Sequence, residues 1–151
     1  MKTAGDAITT GTDNIGVGLN ALTAVTTGVN NIGIGTSAGA GITTATGNIC
    51  VGKTAGDALT TGVNNVAVGL DALGGETTGV NNVAIGVNAL KAQNTASSNI
   101  PIGKDAGTAV TTGAANVLIG ATAADALTTG ANNLAIGLDA LGAETTGVSN
   151  I

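Results

Sequence analysis

Neither an aromatic side chain nor a histidine occurs in the 151 residues, and Pro, Met and Cys occur once each. Without Phe, Tyr or Trp the chain lacks the side chains that bury about 150–250 Å² apiece in ordinary globular cores. A single cysteine, Cys50, excludes an intrachain disulfide. One thiol with no imidazole also leaves too few ligands for a zinc or other transition-metal site. Lys2, Lys53, Lys91 and Lys104 are the only cations against nine carboxylates, for a net charge of −5, which argues against a nucleic-acid partner. Long apolar runs are missing too. The mean hydropathy of +0.42 is high, yet Gly, Thr and Asn interrupt every run well short of the roughly 20 residues of a spanning helix, so no membrane insertion is expected. Met1-Lys2-Thr3-Ala4-Gly5 has no charged and apolar regions of a signal peptide.

What is present is small, aliphatic and periodic. Gly reaches 26 and the hydrophobic fraction 43%. An Asn recurs at positions 14, 31, 48, 65, 82, 99, 116, 133 and 150, a spacing of 17 without insertion or deletion. A Gly follows each of the first eight four residues later, from Gly18 to Gly137, and an Ala three residues beyond that, from Ala21 to Ala140. Most repeats then carry Thr-Thr-Gly, as at Thr60-Thr61-Gly62. A fixed period with one strand at a fixed phase is the signature of a solenoid. We therefore expect an all-β chain, a parallel β-solenoid (β-roll) of about nine 17-residue coils, forming one repeat domain over residues 1–151.

The residues one and three after each Asn are always aliphatic: Ile15 and Val17, Ile32 and Ile34, Ile49 and Val51, Val66 and Val68, Val83 and Ile85, Ile100 and Ile102, Val117 and Ile119, Leu134 and Ile136. This period-two alternation reads as a short strand with both side chains on one face, and these sixteen are the expected core of the coil. Between them sit Gly16, Gly33, Cys50, Ala67, Ala84, Pro101, Leu118 and Ala135. A solvated strand face would carry Thr, Lys or Glu. These mostly small residues instead suggest close approach of another backbone, and they are the expected interchain face. The Asn and Gly bounding each strand are expected at corners.

Two further regularities bear on packing. The residues four and seven after the Gly vary together: Gly56 with Leu59, Gly107 with Val110 and Ala124 with Leu127, but Leu73 with Glu76, Leu90 with Gln93 and Leu141 with Glu144. The two positions are expected to share one slot per coil. Leu22 with Val25 is large at both, so that coil should bulge or fill a gap left by Gly39. A longer period of 51 relates the segments starting at Lys2, Lys53 and Lys104, grouping the coils in threes. Three such units need two residues more than the chain has, so an open half-coil is expected at each end, with unpaired edges that invite head-to-tail stacking. Pro101, inside a strand, should cost one ladder bond.

Signals of chemistry are weak. Residues 47–54, Gly-Asn-Ile-Cys-Val-Gly-Lys-Thr, match the phosphate-loop pattern G-x-x-x-x-G-K-[ST]. That loop needs its strand before the first Gly and a helix near the Lys, whereas the repeat puts the strand between the two glycines. The carboxylates are spread in phase, Asp6, Asp57 and Asp125 in one column, Asp71, Asp105 and Asp139 in another, Glu76 and Glu144 in a third. They read as solvated ridges rather than a paired acid and base. Calcium would need oxygens from several chains. No catalytic, cofactor-binding or metal-binding residue is assigned. The Thr columns offer hydroxyl arrays that could meet ice or a glycan, against the simpler reading that Thr favours extended backbone.

The units Asn82-Val83-Ala84-Ile85-Gly86-Val87-Asn88-Ala89-Leu90 and Asn133-Leu134-Ala135-Ile136-Gly137-Leu138-Asp139-Ala140-Leu141 resemble the head repeats of trimeric autotransporter adhesins and, more closely, related repeats of phage tail fibres. The resemblance covers the whole chain. It implies a parallel homotrimer of β-rolls acting in attachment at a cell surface or virion, outside the cell. The functional expectation is thus a structural, non-enzymatic fibre or adhesin segment whose partner is itself, with a host-surface glycan or protein beyond. A filament subunit stacking head to tail and a monomeric ice- or glycan-binding solenoid are the alternatives.

Overall fold

The computed structural model describes residues 4–151, so Lys2 of the 51-residue pattern lies outside it. Eight strands of three residues follow one another: β1 (Ile15–Val17), β2 (Ile32–Ile34), β3 (Ile49–Val51), β4 (Val66–Val68), β5 (Val83–Ile85), β6 (Ile100–Ile102), β7 (Val117–Ile119) and β8 (Leu134–Ile136). They form one parallel sheet in chain order, every pair joining residues 17 positions apart, as Val66 with Val83 and Ala67 with Ala84. The chain is an all-β parallel solenoid with about seven turns between its eight strands, fewer than the nine coils expected. Asn150 joins the stack, but among the described residues no ninth strand forms.

The strands supply only part of the coil-to-coil bonding. Around residues 65–81, Val66 N donates to Asn82 O at 2.8 Å, Leu73 N to Ala89 O at 2.9 Å, Gly75 N to Lys91 O at 2.9 Å and Thr77 N to Asn94 O at 3.0 Å. In the other direction Gly69 N donates to Val51 O at 2.8 Å and Asn81 N to Val63 O at 3.1 Å. Backbone groups all round the perimeter are therefore satisfied by the neighbouring coils, which explains how segments with almost no regular secondary structure hold one register.

The chain turns by placing residues of positive φ at four phases of each coil: the strand-ending Gly, as Gly69 (φ 137°), which makes the corner expected of it, and three left-handed phases. In the same coil the left-handed residues are Asp71 (φ 52°), Leu73 (φ 55°) and Asn81 (φ 60°). The corner before the strand thus falls on the residue preceding the repeated Asn. The Asn itself does not make the corner, contrary to the sequence expectation. It turns inward, and Asn31, Asn48, Asn65, Asn82, Asn99 and Asn116 are fully buried.

Which face of the strand points inward is the main correction to the sequence reading. Cys50, Ala67, Ala84 and Leu118 are fully buried, Ala135 nearly so, and Gly33 and Pro101 are buried as well. Gly16, in the first coil, is half-buried. The expected core residues Ile15, Val17, Ile32, Ile34, Ile49, Val51, Val66, Val68, Val83, Ile85, Ile100, Ile102, Val117, Ile119, Leu134 and Ile136 all point outward, and none is buried. The small residues do meet a second backbone, but it belongs to their own coil. A Cβ added at Gly33 would lie 2.8 Å from Ala38 O and 2.8 Å from Leu22 Cγ. The loop carrying the repeated Ala lies against the strand, and a branched side chain does not fit between them at native packing density.

The larger interior side chains come from the slot identified by covariation. Leu22, Val25, Ile42, Leu59, Leu73, Leu90, Val110 and Leu127 are fully buried there, joined by Leu118 from the inner strand column. A Cβ at Gly56 would lie 3.0 Å from Leu59 Cδ1 and 2.7 Å from Cys50 Sγ, and one at Gly107 would lie 2.8 Å from Leu118 Cδ1. The glycines make room for the large residues beside them. Leu22 fills the space over Gly39, where an added Cβ would meet its Cδ2 at 2.8 Å. Pro101 has its expected effect: β5 and β6 share only the pair Ile85 and Ile102, while the other strand interfaces show three pairs each.

Candidate functional site

With the aliphatic pairs outward, the sheet presents two unbroken columns of Ile, Val and Leu to its surroundings. No polar residue interrupts either column over eight strands. Seven steps at the strand spacing of roughly 4.8 Å make these columns about 34 Å long. Exposure reaches 41% at Ile34, 52% at Ile15 and 65% at Ile136. The flanking column after the Gly adds Leu19, Leu70, Val87 and Leu138, all exposed. Single exposed aliphatics are ordinary on a protein surface, but a contiguous apolar strip of this length marks a contact surface.

Behind the strip stands a ladder of asparagines. Asn48 Oδ1 accepts from the backbone N of Asn65 at 3.0 Å and from its Nδ2 at 3.1 Å, while Asn65 Nδ2 also donates to Gly79 O at 2.9 Å. The arrangement repeats from Asn14 to Asn82 and from Asn99 to Asn150. At Asn99 the side-chain step is replaced: Nδ2 donates to Gln93 Oε1 at 2.9 Å instead of to Asn82. Gln93 in turn donates to the carboxylate of Glu76, and both are fully buried. Glu76 also accepts from the backbone N of Thr78 and Gly79. The two polar residues at the interior slot thus satisfy each other across adjacent coils.

Asp57, Asp71 and Asp105 lie on a polar ridge beside the strip, whereas Glu76, expected on such a ridge, is fully buried because it is hydrogen-bonded in the interior slot. Asp71 accepts from the Thr54 hydroxyl and is 3.0 Å from Lys91 Nζ, and these hydrogen bonds, Thr54 first, hold its carboxyl below the ordinary range. Asp105 is lowered likewise by Lys104 and then by Asn88, whose Nδ2 donates at 2.8 Å. Asp57 is raised by burial and then by the charge of Asp71. It lines a groove of about 290 Å³ with Asp71, Gly74, Gly75 and Lys91. Among the described residues no three His, Cys, Asp or Glu side chains converge on one point.

The remaining sequence signals resolve plainly. In residues 47–54 the strand β3 lies between the two glycines, and Thr54 is a left-handed residue (φ 56°) in a turn rather than the start of a helix. The wrapped loop that a phosphate requires is not formed. Cys50 is buried in register with Gly33 and Ala67, its thiol pushed up to about 12 by desolvation and then by Asp57. It is inert filling rather than a reactive group or an interchain contact. Among the described residues no helix is long and apolar enough to cross a membrane. Comparison with family models, with curated proteins and with solved structures gives no match.

Proposed function

We infer that the chain is a structural, non-enzymatic segment of an extracellular fibre or adhesin, at a cell surface or virion, and that its aliphatic sheet face is covered by two further copies in a parallel homotrimer. The observation that carries this reading is the pair of uninterrupted aliphatic columns. Identical copies in parallel would set column against column at every step, so a repeat that fixes one contact fixes all of them. Such a rod offers attachment length and a repetitive surface. Beyond its own copies, a host-surface glycan or protein is the expected partner. The resemblance of the Asn-aliphatic-small-aliphatic-Gly units to adhesin heads and tail fibres supports the same arrangement.

The solution mass tests the reading. Sedimentation equilibrium is expected to return three times the chain mass of 14.0 kDa, and a monodisperse 14.0 kDa species would reject it. Val83→Lys with Ile85→Lys places two cations at the middle of the strip. Both side chains already point outward, so the double variant is expected to keep its β circular dichroism and to sediment as monomer, through uncompensated burial of like charges at the axis.

A further inference from the structure

The Thr-Thr segments split into two columns with different duties. In the first, comprising Thr9, Thr26, Thr43, Thr60, Thr77, Thr111 and Thr128, each hydroxyl donates to the carbonyl of the equivalent residue in the next coil, as Thr60 Oγ1 to Thr77 O at 3.0 Å. Backbone N–H groups reinforce the same step, as Thr43 N to Thr60 O at 3.1 Å and Thr60 N to Thr77 O at 2.9 Å. That column is a structural brace.

The second column is Thr10, Thr27, Thr44, Thr61, Thr78, Thr95, Thr112, Thr129 and Thr146. It is threonine in every coil, exposed in every coil, and none of its hydroxyls bonds to the protein. Exposure alone does not explain this constancy, because two other outward positions of the coil, outside the aliphatic columns, vary freely. The residue after the strand-ending Gly is Leu19, Thr36, Lys53, Val87 or Ala121, and the one five further on from that Gly is Thr23, Ala40, Asp57, Gly74 or Lys91. Two coils depart from the pattern: in one the Gly becomes Ala45, in the other the bracing residue becomes Asn94 and the Gly Ala96, yet the exposed member stays threonine as Thr44 and Thr95. The feature retained is the free hydroxyl and methyl, set at the coil spacing of roughly 4.8 Å.

We propose that this second threonine column is a binding surface for crystalline water, a row of hydroxyls and methyls braced at a fixed repeat that seats on the lattice of ice. The coil spacing is close to a repeat of hexagonal ice, and the adjoining brace removes the conformational freedom that would blur it. A glycan is the other ligand with a comparable repeat. The chain has no aromatic ring for sugar stacking, and no charged residue stands in the column, so the surface suits water better than sugar. It is separated along the coil from the aliphatic strip by a left-handed corner, Asn81 after Thr78 for example, and the proposal does not depend on the trimer.

The test is ice-growth arrest and recrystallisation inhibition by the intact protein, compared with the double variant Thr61→Lys with Thr78→Lys. A control, Asp125→Lys, puts a cation at the phase where Lys91 already stands. Circular dichroism confirms the fold of each. The wild-type protein and the control are expected to slow ice growth alike, and the double variant to lose activity by about tenfold, because the column binds as one multivalent unit. Absence of ice activity in the wild-type protein, or equal loss in the control, would overturn the proposal. So would binding to a linear glycan that the double variant abolishes while ice activity stays unchanged.

Discussion

Asn65→Ala is expected to lower the unfolding free energy by about 3–5 kcal/mol, most of the margin of a small domain. Asn65 closes four bonds at once. Its Oδ1 accepts from the backbone N of Asn82 at 2.9 Å and from Asn82 Nδ2 at 3.1 Å, and its Nδ2 donates to Asn48 Oδ1 and to Gly79 O. Truncation leaves these partners facing a dry cavity, and each buried unsatisfied group costs about 1–3 kcal/mol. The outcome is read from urea unfolding followed by circular dichroism, with the slope checked because a solenoid can lose cooperativity when one coil is weakened. Asn150→Ala supplies the contrast. Asn150 donates to Asn133 Oδ1 but has no described coil beyond it, so its loss is expected to cost about 1 kcal/mol. Asn65→Asp separates shape from hydrogen bonding. An ionised carboxylate cannot donate to Gly79 O and is buried without a cation, so its folded-state pKa is raised. The variant should therefore be least stable above the unperturbed carboxylate range and regain stability as the pH falls and the carboxyl protonates.

The period alone makes the architecture legible. A spacing of 17 that never slips demands stacked coils, and the in-register pairs from Ile15 with Ile32 to Ile119 with Ile136 follow from it. The covariation of Gly56 with Leu59 and Leu73 with Glu76 is equally informative, because volume in a close-packed interior is conserved locally. Sidedness is not legible in the same way. Alternation says that Val83 and Ile85 share a face, but not whether that face is inward, and here bulk is a poor guide. Leu118 and Pro101 in the inner column are the available clue, since neither suits a tight interchain contact built for Gly and Ala. The role of the repeated Asn is hidden for a related reason. Asn is common in left-handed corners, and nothing local distinguishes a corner Asn from one whose amide turns inward to bond its copy 17 residues on.

Gly86→Ala is the second large effect expected, at about 4 kcal/mol or more. Gly86 has φ 135°, where an L side chain is strained, and an added Cβ would fall well inside van der Waals contact of Gly103 O and 2.6 Å from its carbonyl carbon. That oxygen is backbone, so relief requires coils to part rather than a side chain to swing away. The strained conformation alone is worth about 1–3 kcal/mol. Gly137→Ala measures that part by itself, since φ is 129° there and the nearest contact of the added Cβ is Ala140 Cβ at 3.9 Å. The difference between the two variants is the steric contribution of stacking. Position along the rod adds a further discrimination. Gly86 ends β5, and Pro101 has already reduced the β5–β6 register to one pair, with Gly103 N to Ile85 O at 2.8 Å among the bonds that remain. Gly52→Ala meets Gly69 O at 2.5 Å but sits at the β3–β4 interface, where all three pairs are kept. Hydrogen exchange is therefore expected to show protection lost on both sides of the β5–β6 boundary in Gly86→Ala, and a smaller, more local loss in Gly52→Ala. Equal and uniform losses in the two would mean that the proline interface is no weaker than its neighbours, and that the perimeter bonds rather than the strands carry the cohesion of the rod.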